Sequence, residues 1–363
     1  MAGGGKAAFI IGGTGQIGTA AARHLAEHGW SVMVGHRGAH EGDSSLNELD
    51  VTSVRVDRDD TEALLTLADG HDLVLDTVAF EPKHADQLAG LAGLVGSVVV
   101  ISTGGVYVDS EGRSLDTANA EGAFPDYGGP IDESQPTMAD GAPTYGLLKA
   151  QLERTLLDAA ELPVSILRPG AVHGPFSEAL REWYFVKRVR DHRERTVLAH
   201  DGASRFSPTS TAAIAELTRL CAESPGRRVL NVADDDVTVT DIAEAVFDAM
   251  GHRVELVPVP GAPDHGVGST PWSTPNPIVL STQRAKDELG FEPPAPYRES
   301  VRADIEWIVD VVNGAKRRGV SWRTLFPHLV NRYRADAWFD YAAEDAFLSA
   351  LPVAAGGTYA TPR

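Results

Sequence analysis

A single cysteine, Cys221, stands in a chain of 363 residues. No internal disulfide can form, and no cysteine-based zinc site can be assembled. Basic residues are also in deficit: 32 lysines and arginines face 51 aspartates and glutamates, for a formal net charge of −19. That balance leaves no surplus to displace counterions from nucleic-acid phosphates or to hold an anionic lipid surface. The one local exception, Arg188, Arg190, Arg193 and Arg195, reads either as the border of a small anionic ligand or as a solvated helix face. Apolar runs fall short of the ~18 residues of a membrane helix. The opening MAGGGKAAFIIGG has too short an apolar stretch for a secretory signal before it turns into a glycine loop. The expectation is a cytoplasmic protein that handles a small molecule, with no nucleic acid, membrane or metal as partner. Its hydrophobic content of 43% and charged content of 23% are ordinary for a globular enzyme with ample core.

What is present is alternation. Short β-branched runs (AAFII, SVMVG, SVRVD, DLVLDTV, SVVVIS, PVSILR) are separated by helical patterns near residues 16–28, 60–69, 82–94 and 144–160. Such alternation predicts a doubly wound parallel sheet with helices on both faces. The polar segment 109–142, rich in Gly, Pro and Asp, reads as a long ordered loop, a feature that tends to be functional in a compact domain. Beyond residue 170 the pattern loosens into a smaller mixed α/β region, with further helices in TVTDIAEAVFDAMG, STQRAKDELGF and YRESVRADIEWIVDVVNG. The predicted organisation is a dinucleotide-binding domain over 1–170 and an interleaved substrate region over 171–313, some of whose elements return to the first sheet. An extension follows over 314–363; it can cap a cleft, widen a subunit interface or fill a core.

The stretch KAAFIIGGTGQIGTAAARHLAEHG places Gly12, Gly15 and Gly18 at three-residue spacing between a strand and a helix. In that setting the pattern predicts a dinucleotide. Gly12 permits the tight turn, Gly15 lets backbone approach a pyrophosphate, and Gly18 lets the helix pack closely on the strand. Thr14 and the amides of Gln16 and Ile17 then face the phosphates at the positive helix end. The second strand ends with His36 and Arg37, where an NAD enzyme would carry a carboxylate for the ribose hydroxyls. Arg37 can grip the extra phosphate of NADP; the alternative is an exposed Arg37 with NAD held by backbone alone. Asp57, closing SVRVD, is placed to contact the adenine.

Helix PTYGLLKAQLERTLLDAA sets Tyr145 and Lys149 one turn apart on a single face. Pro143 suits its first turn, and Thr144 can shield a free amide. VVVISTGGVY ends a strand at Thr103, and LRPGAVHGP follows a later one. With these signatures in this order the sequence resembles the extended short-chain dehydrogenase/reductase superfamily, also called NAD-dependent epimerases/dehydratases, over about residues 6–314.

The resemblance implies a Rossmann fold and a catalytic set of Thr103, Tyr145 and Lys149, with Ser102 as the weaker alternative to Thr103. Tyr145 would be the acid/base. A phenol ordinarily ionises near pH ~10, and Lys149 together with the positive nicotinamide ring favours the phenolate. Lys149 would also hold the nicotinamide ribose, and Thr103 would fix the substrate oxygen. Val78, Ala79, Pro169, Gly170 and Val172 would touch the cofactor. Phe80, Gly104, His173 and Arg205 would line the substrate; His173 can equally pack, and Arg205 can bind a phosphate or not. Helices near 82–94 and 144–160 imply a homodimer through a four-helix bundle. Two departures matter. Thr103 is followed by Gly104 and Gly105 rather than the Asp-Glu pair of sugar-nucleotide dehydratases, and the later substrate segment SRFSPTSTAAIA keeps Arg205 without the acidic positions of epimerases. The leading expectation is an NADP(H)-dependent oxidoreductase that interconverts a secondary alcohol and a ketone. The alternatives are an NAD-dependent sugar-nucleotide epimerase and a non-catalytic nucleotide sensor or RNA-binding relative.

Overall fold

The computed structural model describes residues 5–38, 46, 48–118, 122–159, 161–333 and 335–351. Six strands follow in the first half: β1 (Ala7–Ile11), β2 (Ser31–His36), β3 (Val51–Arg55), β4 (Leu73–Asp76), β5 (Ser97–Ile101) and β6 (Val164–Pro169). Between them lie α1 (Gln16–Glu27), α2 (Thr61–Ala68), α3 (Pro82–Ala89) and α4 (Tyr145–Asp158). A later strand, Arg228–Val232, joins them in a seven-stranded parallel sheet of order Arg228–Val232, β6, β5, β4, β1, β2, β3. The order reverses between β4 and β1, which is the switch point where ligands of doubly wound sheets bind.

Alternation along each strand explains why both faces are covered. Ala8 and Ile10 of β1 pack with Ala21, Ala22 and Leu25 of α1 and with Ala213, Ile214 and Leu217 of the helix Thr211–Glu223. Phe9 and Ile11 face the other side, against Leu64, Leu88, Leu152 and Leu156 of α2, α3 and α4. Helix α2 begins where Asp60 accepts the Ala63 amide at 3.1 Å. Helix α3 ends at Ala89 with Gly90 as its cap, short of the predicted residue 94, and Gly93 beyond it has φ +79°. Pro143 stands ahead of the α4 cap rather than in its first turn; Thr144 is the cap and accepts the Leu147 amide at 3.3 Å.

Gly18 shows how tightly α1 sits on β1. A Cβ there would lie 2.3 Å from the Gly12 carbonyl oxygen and 2.7 Å from Gly13 Cα. Both are backbone atoms that cannot swing away. Gly18→Ala is therefore expected to lower stability by about 1–3 kcal/mol, as overpacking does, and chemical denaturation would measure it.

The described residues pack as two units: those within 1–172, 209–234 and 280–294 form one, and those within 173–208, 235–279 and 295–363 the other. In the second, the helices Trp183–Arg190, Val239–Ala249 and Tyr297–Arg317 bury Tyr184, Phe185, Ile242, Val246, Val301 and Ile305. Thr238 caps Val239–Ala249 in a reciprocal box with Asp241, and Gly251 at φ +61° follows its end.

Residues after Gly314 join this second core through Phe326 and Leu329. Glu344 of the helix Tyr341–Ala350 accepts the Val197 amide at 3.0 Å and lies 3.6 Å from Arg188. That contact changes the reading of the basic run. Arg188 is buried over the Tyr184 ring and donates to the Trp338 carbonyl, while Arg193 pairs with Asp345. These two arginines hold the extension rather than an anionic ligand, and Arg188 is no solvated face.

Candidate active site

The first unit carries most of the predicted residues along one edge of the sheet, at the C-terminal ends of successive parallel strands. After β1 the amides of Gly12 and Gly13 donate to the Gly35 carbonyl at 3.0 and 3.2 Å. Gly12 has φ +84°, and a Cβ on it would lie 2.4 Å from Thr77 Oγ1 and 2.6 Å from Val78 Cγ1. Only glycine lets this turn and the loop after β4 approach so closely. Gly15 is the N-cap of α1 and has no side chain to cap the first-turn amides.

The end of β2 carries His36, whose Nε2 lies 2.7 Å from Ser53 Oγ, followed by an exposed Arg37. Asp57 lies two residues beyond the end of β3 rather than on it, exposed, with its carboxylate accepting the Asp59 amide at 3.0 Å. After β4, Val78 is exposed and Ala79 fully buried.

Tyr145 opens α4, 41% exposed, with its ring stacked on Phe80 at 5.5 Å. One turn later Lys149 is buried, and its Nζ donates to the carbonyls of Ala79 at 2.6 Å and Ile101 at 2.7 Å. An ammonium has three protons, so a third donor remains beyond these two carbonyls. Burial draws Lys149 down to about 8, against the pull of Asp76 and Glu153. Thr103 caps the short turn Gly104–Val106 by accepting the Gly105 amide at 3.0 Å. A Cβ on Gly146 would come within 2.6 Å of the Gly105 carbonyl. A glycine directly after Tyr145 thus lets the Thr103 turn close onto α4. Gly104 lies against the Pro169 carbonyl, and the Gly170 amide donates to Thr209 Oγ1 at 2.9 Å. Val172 packs against the core that α1 covers.

The structure adds residues that sequence reasoning missed, chief among them Asp76, Glu153 and Arg168. Asp76, fully buried at the end of β4, accepts the amides of Val78 at 2.9 Å and Ala79 at 2.7 Å and forms an ion pair with Arg58 at 2.8 Å. It shapes the loop whose Ala79 carbonyl holds Lys149. Beneath Thr103, Ser102 Oγ donates to Glu153 at 2.5 Å, and Glu153 receives a fork from Arg168 at 3.0 and 2.5 Å. Ser102 is thereby engaged below the strand end. Arg168 also lies over the ring of Tyr107, whose hydroxyl donates to Asn231 at 2.7 Å. Burial pushes Tyr107 up to about 12, so it stays a neutral phenol. Signals for these residues were present: a carboxylate ends the apolar run LVLD, an arginine ends SILR, and Glu153 follows Lys149 by one turn.

His173 and Arg205 belong to the second unit. His173 is buried, edge-on to Tyr297 at 5.1 Å and 3.4 Å from Ser300 Oγ. Arg205 is half exposed and forms an ion pair with Asp236.

The family model described as NAD dependent epimerase/dehydratase matches residues 8–233. No curated protein matches in sequence. Among solved structures, a putative epimerase from Burkholderia cenocepacia is 19% identical, with a TM-score of 0.64, over 83% of this chain and 97% of its own. A dTDP-glucose 4,6-dehydratase from Bacillus anthracis in complex with NAD is 16% identical, with a TM-score of 0.62, over 85% and 98%. A UDP-glucose 4-epimerase from Thermotoga maritima with UDP-glucose is 20% identical, with a TM-score of 0.61, over 84% and 99%. At these identities the likeness shows a common fold.

Proposed function

This chain belongs to the NAD dependent epimerase/dehydratase family, and from that premise we propose that it is an NAD(P)-dependent oxidoreductase interconverting a secondary alcohol and a ketone, with NADP(H) preferred. The observation that carries the reading is the arrangement at the end of β5. Lys149 is anchored beneath by two carbonyls, Tyr145 stands exposed one turn away, and the Thr103 turn is drawn against α4 through Gly146. The residues fit a dinucleotide: Gly12 makes room for the turn, and the first turn of α1 lacks a side-chain cap, as suits a pyrophosphate. Gly12, Thr14, Gly15, Gln16 and Ile17 would hold the phosphates, Asp57 the adenine, and Val78, Ala79, Pro169 and Val172 the nicotinamide side.

When bound, the nicotinamide supplies the hydride acceptor or donor. The protein's part is proton management and orientation. In alcohol oxidation Tyr145 Oη, as phenolate, takes the hydroxyl proton; in ketone reduction it returns one. Thr103 Oγ1 donates to the substrate oxygen and fixes its distance from Tyr145. Lys149, Arg168 and the partly buried Arg58 outnumber Asp76 and Glu153 by one, and that net positive charge favours the phenolate. Phe80 stacks under the Tyr145 ring and limits its swing.

The NADP preference rests on the His36–Arg37 end of β2 and on the missing carboxylate there. Arg37→Ala is expected to weaken NADP(H) binding by about ten- to a hundredfold, the worth of a charge-assisted hydrogen bond, with NAD(H) binding little changed. Titration of both nucleotides against both proteins measures it.

A second reading, an NAD-dependent sugar-nucleotide epimerase, is favoured by the fold shared with the Thermotoga UDP-glucose 4-epimerase. The nucleotide that copurifies separates the two. An exchangeable NADP(H), with net change in reduced cofactor when substrate is added, supports the oxidoreductase. Tightly held NAD with no net redox change supports the epimerase.

A further inference from the structure

On the side of the first unit where α1 packs against the helix Thr211–Glu223, two imidazoles and a carboxylate meet. His24 in the last turn of α1 and His28 at its C-cap have ring centroids 4.3 Å apart, and Glu216 reaches them from the neighbouring helix. One ligand atom from each of the three lies within 4.8 Å of the other two.

We propose that His24, His28 and Glu216 bind a divalent first-row transition metal, with Zn²⁺ the best-suited ion, and that the metal clamps α1 to the helix Thr211–Glu223. The donor set is chemically apt: imidazole nitrogen and carboxylate oxygen both suit zinc, and three protein ligands plus a water complete a tetrahedron. In such a site bonds of about 2.0–2.2 Å place ligand atoms roughly 3.3–3.6 Å apart. The three ligand atoms lie within 4.8 Å of one another, and side-chain rotations would bring them to that spacing.

The surrounding hydrogen bonds prepare the ligands. His28 Nδ1 lies 2.7 Å from the His24 carbonyl oxygen. A carbonyl can only accept, so Nδ1 carries the proton and the lone pair of His28 sits on Nε2. This backbone contact is the outer-shell partner that metal-bound imidazoles usually have. His24 Nε2 lies 2.7 Å from Glu216 Oε2. A carboxylate accepts, so the metal would take the place of the proton now shared between them. Behind Glu216, Arg219 donates to both carboxylate oxygens at 2.9 and 2.7 Å. That fork fixes the carboxylate's plane. A simple ion pair would need only His24 and Glu216. The third ligand, exposed and of fixed tautomer, is what distinguishes a metal site, and its exposure gives the ion a path in.

The test uses the full chain without an affinity tag, stripped with a chelator and titrated with Zn²⁺ by calorimetry. One equivalent is expected to bind and to raise the thermal midpoint. Co²⁺ in its place is expected to show the visible absorption of a four-coordinate site. His28→Ala changes an exposed residue at a helix end, so it should fold normally; it and Glu216→Gln are each expected to weaken binding about tenfold or more. His265→Ala, at a fully exposed histidine in the second unit, is expected to bind like the unaltered chain. Absence of stoichiometric Zn²⁺ uptake at micromolar concentration, or equal uptake by His28→Ala, would overturn the proposal.

Discussion

Turnover in Tyr145→Phe is expected to fall by about 10²–10⁴, the usual contribution of a positioned acid/base, while nucleotide affinity changes little. The ring can keep its stacking on Phe80, and the helix cap at Thr144 does not involve the hydroxyl. What is lost is the one atom that would exchange a proton with substrate. Single-turnover kinetics beside nucleotide titration measure the two quantities separately. Turnover within a few-fold of the unaltered chain would sink the assignment of Tyr145 as acid/base.

The unaltered enzyme should show a matching pH dependence. Burial holds Lys149 at about 8, below the ordinary lysine value of 10.5. Below the lower value the ammonium is present, and it favours the phenolate. As pH rises through about 8 that charge is lost, and turnover should decline. Stability moves the other way. Between the two values the unfolded chain binds more protons at this site than the folded chain, so folding gains from Lys149 as pH rises through that window. A decline in activity without a parallel decline in melting temperature distinguishes this titration from alkaline unfolding.

The second large effect concerns stability. Glu153→Ala is expected to destabilise the fold by about 3–5 kcal/mol, because it leaves the Arg168 guanidinium buried without its counter-ion. Ser102 would lose its acceptor as well. Replacing both members of the pair with methionine should restore much of that loss, since two apolar side chains leave no orphaned charge. Denaturant midpoints at unchanged slope report the difference. A loss below about 1 kcal/mol for Glu153→Ala would mean that water or other groups already solvate Arg168. The pair sits below Thr103, so the single substitution should also lower turnover, through the position of the β5 end.

Much of the fold was legible because its signals are local. β-branched runs of five to seven residues alternate with amphipathic helices, and a strand buried on both faces reads as continuous apolar sequence. The glycine spacing was readable for a similar reason: a turn that needs φ +84° at Gly12 and a helix that touches backbone at Gly18 tolerate no side chain. Boundaries were less legible. Helix α3 stops at Ala89 and β3 stops at Arg55, where tertiary pairing ends rather than where the composition changes.

The amino-acid sequence by itself determined the alternating architecture, the glycine cradle and the Tyr145–Lys149 spacing, because each depends on residues a few positions apart. Only the tertiary structure decided what lies under that pair. Arg58 meets Asp76 across 18 positions, and Ser102 meets Glu153 across 51. Arg188 and Arg193 are claimed by the extension about 150 residues later, and His24 finds Glu216 across 192. Charged groups removed from water take whichever partner the packed sheet and helices bring within reach, and no local pattern along the chain encodes that choice.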